Sequence, residues 1–461
     1  MNAVESLDKL RVDAAPLATA FAERGHSLFA VGGSVRDALL GAVREDGYEI
    51  DFTTDARPDV IASIMGPLCG ALWEQGREFG TIGGIVRHGG FKAEITTFRS
   101  EAYVDHSRKP AVVFGDSLEI DLGRRDFTIN AMALDVSDGT FHDPYGGVSD
   151  LTARRLRTPA DARGLFSDDP LRMLRAARFA SRFELDIDPY IIEAATELAE
   201  RLSIVSAERI RGELDLLMMT PQPSRGLDFV VLTKLADYFI PELPGLALEQ
   251  DPIHQHKDVL AHTFAVVDRT SPQLVLRLAA LFHDIGKPRT RAFSDKGVTF
   301  HHHEAVGARM TKKRMEALKY SQAIMDDVVA LVDLHLRFHT YKMGWSNSAV
   351  RRYVRDAGHL LSELNELTRC DCTTRNARKA AMLATRMDEL EARIDELLEA
   401  EDLKRIRPAL DGTAVMELLG IGPSRVVGDA LDFLLEIRLE EGEISESDAQ
   451  QRLREWWEKR S

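Results

Sequence analysis

Up to about residue 150, short apolar runs alternate with turns rich in Gly and Asp. Leu28-Phe-Ala-Val31, Glu49-Ile-Asp-Phe52, Thr81-Ile-Gly-Gly-Ile-Val86 and Phe91-Lys-Ala-Glu-Ile-Thr-Thr-Phe98 predict strands. Ser34–Leu40 and Arg57–Met65 predict helices, so the segment is expected to be a head with a small mixed sheet. From about Asp168 the apolar period turns helical. Leu171, Leu174, Ala177 and Phe179 recur at that spacing, as do Ile191, Ala195, Leu198 and Leu202. Pro221, Pro223, Pro241 and Pro244 mark connections between helices. A third segment, from near Asp251, is dense in histidine, and the last, from about Asn376, is charged helix with a turn at Gly420-Ile-Gly-Pro423. No internal repeat or low-complexity linker is visible. The expected fold class is α+β multidomain: a head over residues 1–152, a helical neck over 153–250, a helical domain over 251–375 and a helical tail over 376–461.

A length of 461 residues suggests about three domains. No apolar run approaches the roughly 20 residues needed to span a bilayer, and Met1–Arg11 lacks the basic-then-apolar layout of a signal peptide. No membrane association and a cytoplasmic location are therefore expected. Three cysteines, Cys69, Cys370 and Cys372, argue against a disulfide framework and are expected to be plain thiols. The net charge of -15 does not by itself suggest a nucleic-acid partner. It hides local clusters, however, among them Arg124-Arg125 and Arg172/Arg175/Arg178/Arg182, while the acidic surplus lies largely in the C-terminal helices.

Two features of the head carry chemistry. Val31-Gly-Gly-Ser-Val-Arg-Asp37 is a strand ending in two glycines before a helix. Gly32 and Gly33 would let a phosphate approach the backbone, with Arg36 on the first helical turn able to reach it. Glu49-Ile-Asp51 places two carboxylates at i and i+2, on one face of a strand. Adjacent acids repel unless a cation lies between them, and Mg²⁺ favours carboxylate with phosphate oxygens. Glu94, on the strand through Lys92–Phe98, offers a third carboxylate. Taken singly, the first feature also reads as an ordinary turn and the second as a solvated strand face.

In order, these motifs resemble the nucleotidyltransferase superfamily of DNA polymerase β. The continuation is similar to its class II branch, the CCA-adding enzymes and bacterial poly(A) polymerases. Leu122-Gly-Arg-Arg-Asp-Phe-Thr-Ile-Asn-Ala-Met-Ala133 resembles the branch's sugar and triphosphate motif, and Asp143-Pro-Tyr-Gly-Gly147 its head–neck hinge. Asp168-Asp-Pro-Leu-Arg-Met-Leu-Arg-Ala-Ala-Arg-Phe179 resembles its nucleotide-selecting helix, and Ser206-Ala-Glu-Arg-Ile-Arg-Gly-Glu-Leu214 its next motif. The resemblance implies Glu49, Asp51 and Glu94 as catalytic residues, the first two holding Mg²⁺. It implies nucleotide contacts from Gly32, Gly33, Arg36, Arg125, Asp126, Asn130, Asp169, Arg172, Arg175 and Arg178. Asp169 and Arg172, three apart, are expected on one helix face, where a carboxylate and a guanidinium imitate a Watson–Crick edge and favour C and A. Arg175 and Arg178 are expected to extend that cationic face. Their reading outside the family is a salt-bridged surface helix. Glu49 departs from the aspartate usual in the family. Asp105-His-Ser-Arg-Lys-Pro110, within Phe98–Phe114, resembles the loop that full CCA enzymes need to switch to A.

The histidine segment carries His262, His283-Asp284, His303, His335 and Asp371, an ordered set that looks like the HD superfamily of metal-dependent phosphohydrolases. His and carboxylate ligands suit a divalent transition metal. His301 and His302 beside His303 leave the third ligand open, and the alternative is a helical body whose histidines only pack or touch RNA. The combined expectation is an enzyme adding CCA to the tRNA acceptor end from CTP and ATP, of undefined oligomeric state. Poly(A) polymerase, an HD phosphohydrolase and a non-catalytic RNA-binding protein are the alternatives.

Overall fold

The computed structural model describes residues 2–41, 48–102, 111–115, 117–251, 256–294, 297–340, 345–372, 377–400 and 406–460. The Asp105–Pro110 loop motif lies outside them. The backbone forms two compact units: Met1–Leu217 with Arg225–Tyr238, and Met218–Ser224 with Phe239–Ser461.

The first unit opens with helix α1 (Ala3–Ala22), started by a capping box in which Asn2 and Glu5 satisfy each other's backbone N–H. Its Leu10, Ala14, Leu17 and Phe21 recur every three or four residues and are buried. The sheet contains β1 (Leu28–Val31), β2 (Glu49–Thr54), β3 (Cys69–Trp73), β4 (Thr81–Val86) and β5 (Lys92–Thr97). A separate hairpin pairs β6 (Arg99–Ala102) with β7 (Ala111–Phe114). The sheet is completed by β8 (Ala133–Asp135) and β9 (Phe141–His142). The strand order is β3-β4-β5-β2-β1-β8-β9. Within this sheet the described pairings are antiparallel except β2 with β5, so it is mixed as expected. Helices α2 (Gly33–Leu39) and α3 (Pro58–Leu68) follow β1 and β2. Ile50, Phe52, Ala93 and Ile95 point into a core shared with α1, leaving the alternate residues of β2 and β5 for the other face.

Helices α4 (Leu118–Gly123), α5 (Gly147–Thr152), α6 (Ala162–Asp168), α7 (Leu171–Phe183), α8 (Pro189–Glu197) and α9 (Ala207–Met218) continue the unit. Strong amphipathicity fixes α7: Leu171, Met173, Leu174, Ala177 and Ala180 are all buried. The second unit is predominantly helical. Val259–Arg269, Leu274–Phe282, His303–Ala317, Gln322–Leu334 and Leu361–Asp371 surround the histidine cluster, and Gly412–Leu419, Arg425–Glu441 and Glu446–Glu458 form a C-terminal apolar cluster. All three cysteines are free thiols, as expected.

Candidate active site

Parallel pairing of β2 with β5 puts Asp51 opposite Glu94 and Glu49 opposite Lys92. Since Cβ direction alternates, all four side chains share the face away from the core. One ligand oxygen from each of Glu49, Asp51 and Glu94 lies within 4.8 Å of the others, a hard-oxygen donor set that fits a divalent cation. Lys92, which the motif reading passed over, donates from Nζ to Glu49 Oε1 at 2.7 Å and lies 2.9 Å from Glu94 Oε1. Hydrogen bonds to these two carboxylates push its ammonium up from the ordinary lysine range.

The glycine turn abuts this cluster. Gly32 has φ +67°, open to glycine at no steric cost, and a Cβ there would stand 3.1 Å from Arg125 Nη1 and 3.7 Å from Asp51 Oδ2. Ser34 Oγ ties the turn to β2, donating to the Glu49 carbonyl and accepting from the Asp51 N–H, both at 3.3 Å. Arg36 lies on the first turn of α2, as expected, and its side chain is buried. Only 4% exposed, its guanidinium donates to Asp37 at 2.7 Å and to Asn130, and stacks over Phe183 at 4.5 Å from the ring centroid. Stacking against the α7 aromatics Phe179 and Phe183 accounts for that burial.

The selecting helix also differs from expectation. Asp169 is not on α7: its backbone is extended (φ -138°, ψ 99°). The cause is Pro170, whose ring disfavours helical geometry in the residue before it. Asp169 instead stands just before the helix, Oδ1 accepting the Leu171 N–H at 3.2 Å, while Oδ2 pairs with Arg209 at 2.8 Å. Arg172, inside the helix, is fixed by two backbone carbonyls, Leu165 O at 3.1 Å and Arg124 O at 2.9 Å.

The expected cationic face is neutralised by buried acids. Arg175 pairs with Asp126 at 2.6 Å and Glu213 at 3.5 Å; Arg178 pairs with Glu213 at 2.7 Å. Asn130 donates to Asp126 at 2.9 Å. Burial favours a protonated Asp126, but Arg175 and Asn130 more than offset it and hold the carboxyl down at about 2. A continuous chain therefore runs Arg36–Asn130–Asp126–Arg175–Glu213–Arg178, from the glycine turn into α7 and α9. Glu213 and Arg209 belong to the last quoted motif, but their partners lie 35 or more residues away and leave no mark in local spacing.

In the second unit the HD-like residues converge. His262, His283 and Asp284 form one set with ligand atoms within 4.8 Å, and Asp284, His303 and His335 another. Asp371 Oδ1 is 2.9 Å from His262 Nε2 and 3.7 Å from His283 Nε2. Nδ1 of His283, His303 and His335 faces the carbonyls of Ala280, Phe300 and Val332 at 2.8, 2.8 and 2.6 Å. With the ring proton there, the Nε2 lone pairs of His303 and His335 point inward, while at His283 burial opposes the charge but Asp284 and Asp371 push the imidazole up towards its protonated form. His335 Nε2 is buried without a hydrogen-bond partner among the described residues, an orphan that a metal would satisfy. Burial and the neighbouring His283 hold the His335 imidazole neutral, its pKa lowered to about 3. Burial opposes the Asp284 charge, but His283 and Lys287 hold that carboxyl well below the usual range. His303, not exposed His301 or His302, is the histidine turned into the cluster.

Family models match in three places: a Poly A polymerase head domain at residues 28–157, a Probable RNA and SrmB-binding site of polymerase A at 184–246, and an HD domain at 259–394. The A-adding tRNA nucleotidyltransferase of Deinococcus radiodurans is 33% identical over 432 residues, covering 88% of this chain and 90% of that protein. The CCA-adding enzyme of Streptococcus pyogenes serotype M2 is 29% identical over 432 residues, 94% of this chain and 93% of its own. The fold is shared with the Bacillus stearothermophilus CCA-adding enzyme in complex with CTP, at TM-score 0.70 and 24% identity over 97% of this chain and 98% of that one. Among the described residues no helix is long and apolar enough to cross a membrane. With 33% identity to a tRNA nucleotidyltransferase over 88% of its length, and head and HD domain models matched in turn, the chain belongs to the tRNA nucleotidyltransferase family and is a nucleotidyl-transferring enzyme.

Proposed function

We propose that this chain completes the CCA end of tRNA, adding C, C and A from CTP and ATP to the 3′-hydroxyl, and that the cation of its head is Mg²⁺. The observation carrying this reading is the physical continuity between its two halves. Arg172 grips the Arg124 carbonyl, Arg125 packs against Gly32, and Gly32 packs against Asp51. A base read by Asp169 and Arg172 would thus have its triphosphate directed toward the turn and the carboxylates. Asp169, pinned at both oxygens, presents an acceptor, and Arg172 presents a donor, a pattern suited to the amino bases C and A. When bound at Glu49, Asp51 and Glu94, a divalent cation supplies activation of the hydroxyl and charge neutralisation at the departing pyrophosphate. Such an enzyme would work in the cytoplasm with its tRNA and nucleotide substrates.

The test offers two transcripts, one ending before CCA and one ending in CC, with each labelled nucleotide. The expected result is C, C, A and a stop on the first and a single A on the second. Addition to the CC end alone would mean an A-adding enzyme like the Deinococcus relative, and a long A tail would mean a poly(A) polymerase.

The inward-facing imidazoles and orphaned His335 Nε2 favour a second activity in the same chain, a metal-dependent phosphoester hydrolase in the HD-like unit. Asp284 contacts three of the histidines and Lys287. Asp284→Ala is therefore expected to bring transition metal, measured by elemental analysis of the purified protein, to background, and phosphatase activity with it. CCA addition should continue. Unchanged metal content in this variant would rule the cluster out as the metal site.

A further inference from the structure

The carboxylate cluster of the head already contains a cation, and it belongs to the protein. Lys92 sits opposite Glu49 in the β2–β5 register and two residues before Glu94 on β5, so it shares their face. Its Nζ reaches both, at 2.7 and 2.9 Å, and lies 5.5 Å from the centroid of Trp73. Trp73 is itself seated directly over Gly83, where a Cβ would meet the indole Nε1 at 2.1 Å. Gly83 stands between Trp73 and Glu94 in the sheet register. The row Trp73–Gly83–Glu94–Asp51 therefore places an aromatic wall beside the carboxylates, and Lys92 is held between the wall and the acids by ion pairs and ring attraction. The longer arm of Glu49 serves this arrangement. The residue directly opposite on the neighbouring strand is a lysine, and a carboxylate one methylene further out can meet its ammonium.

We propose that Lys92 is a built-in competitor for the divalent cation. It occupies Glu49 and Glu94 when the head is empty, and it yields them when a nucleotide brings a cation on its phosphates. This deepens the nucleotide-addition reading and rests on it. The physical basis is simple: an ammonium bridging two carboxylates removes one unit of negative charge from a set of three. A free cation must displace it, whereas a cation arriving with a triphosphate brings additional oxygen ligands and offers the displaced ammonium a new anionic partner.

The experiment titrates the full chain with Mn²⁺ by electron paramagnetic resonance, with and without an α,β-methylene analogue of CTP. Lys92→Met keeps the stem against Trp73 and removes the charge. It is expected to bind Mn²⁺ at the head without nucleotide at least about tenfold more tightly than the native chain, the lower bound set by one neighbouring charge screened as in water. That gain should vanish in Lys92→Met/Asp51→Ala, which separates it from any Mn²⁺ held by the histidine cluster. Lys92→Arg should behave like the native chain. Lys92→Gln, a second neutral variant, guards against misfolding of the first, and thermal melting checks both. Equal nucleotide-free affinity in native, Met and Gln chains would overturn the role of Lys92 while leaving nucleotide addition standing. Absence of any Asp51-dependent Mn²⁺ in every chain, nucleotide included, would overturn both.

Discussion

Asp51→Ala is expected to slow nucleotide addition by about a thousandfold or more, a loss of roughly 4 kcal/mol of transition-state stabilisation. The position of Asp51 is the reason. It lies at the centre of the carboxylate row, opposite Glu94 and beside the glycine turn, with its backbone N–H accepted by Ser34 Oγ at 3.3 Å. Glu49 and Glu94 are engaged with Lys92, whereas Asp51 Oδ2 lies 3.7 Å from the Cβ position of Gly32, where neither glutamate comes within 4 Å. The core partners of β2, Ile50 and Phe52, are untouched by the change, and circular dichroism should register no loss of structure. Single-turnover addition of labelled C to a transcript lacking CCA measures the effect. A variant retaining a tenth of the native rate would remove Asp51 from the centre of the chemistry.

Much of this arrangement was legible from the chain itself, for a local reason. Strands β1 and β4 coincide with the apolar runs between glycines, and the alternation in Glu49-Ile-Asp-Phe52 assigns both faces of β2 without any partner. Other parts were hidden because they depend on pairing. Helix α1 escaped the apolar reading since charges and Pro16 interrupt it, although the Asn2-x-x-Glu5 cap was available as a signal. The edge strands β3 and β9 are short and, apart from buried Cys69, exposed or half-exposed, and their assignment comes from neighbours rather than composition. Asp169 was placed on the helix by spacing, while the Pro170 beside it already argued for an extended residue. The arginines of α7 read as a cationic face because their counter-charges, Asp126 and Glu213, come from 49 and 35 residues away. For the same reason Lys92 meant nothing until β5 lay beside β2.

Those counter-charges lead to the second large effect, on stability. Glu213 on α9 is buried, and it is the anion that allows Arg178 to lie in the interior of the first unit, stacked 4.3 Å over Phe179. Truncation to alanine would leave that guanidinium desolvated and without its partner, a situation that costs roughly 3–5 kcal/mol. Arg175 would suffer less, because Asp126 holds it at 2.6 Å. Glu213→Ala is accordingly expected to shift the urea midpoint of the transition that reports on the first unit strongly downward, while Glu213→Gln, which keeps an acceptor in place, recovers part of the loss. A further variant distinguishes a missing charge from a missing contact. Replacing both partners, Arg178→Met with Glu213→Leu, removes the buried charges together and should restore most of the stability, since well-packed apolar pairs of similar volume replace buried ion pairs at little cost. If the double variant were as unstable as Glu213→Ala, the pair would be holding α7 against α9 by geometry that no apolar pair reproduces. The chain from the glycine turn through Asp126 to α7 would then be a polar scaffold that holds the two helices by directionality rather than by charge balance.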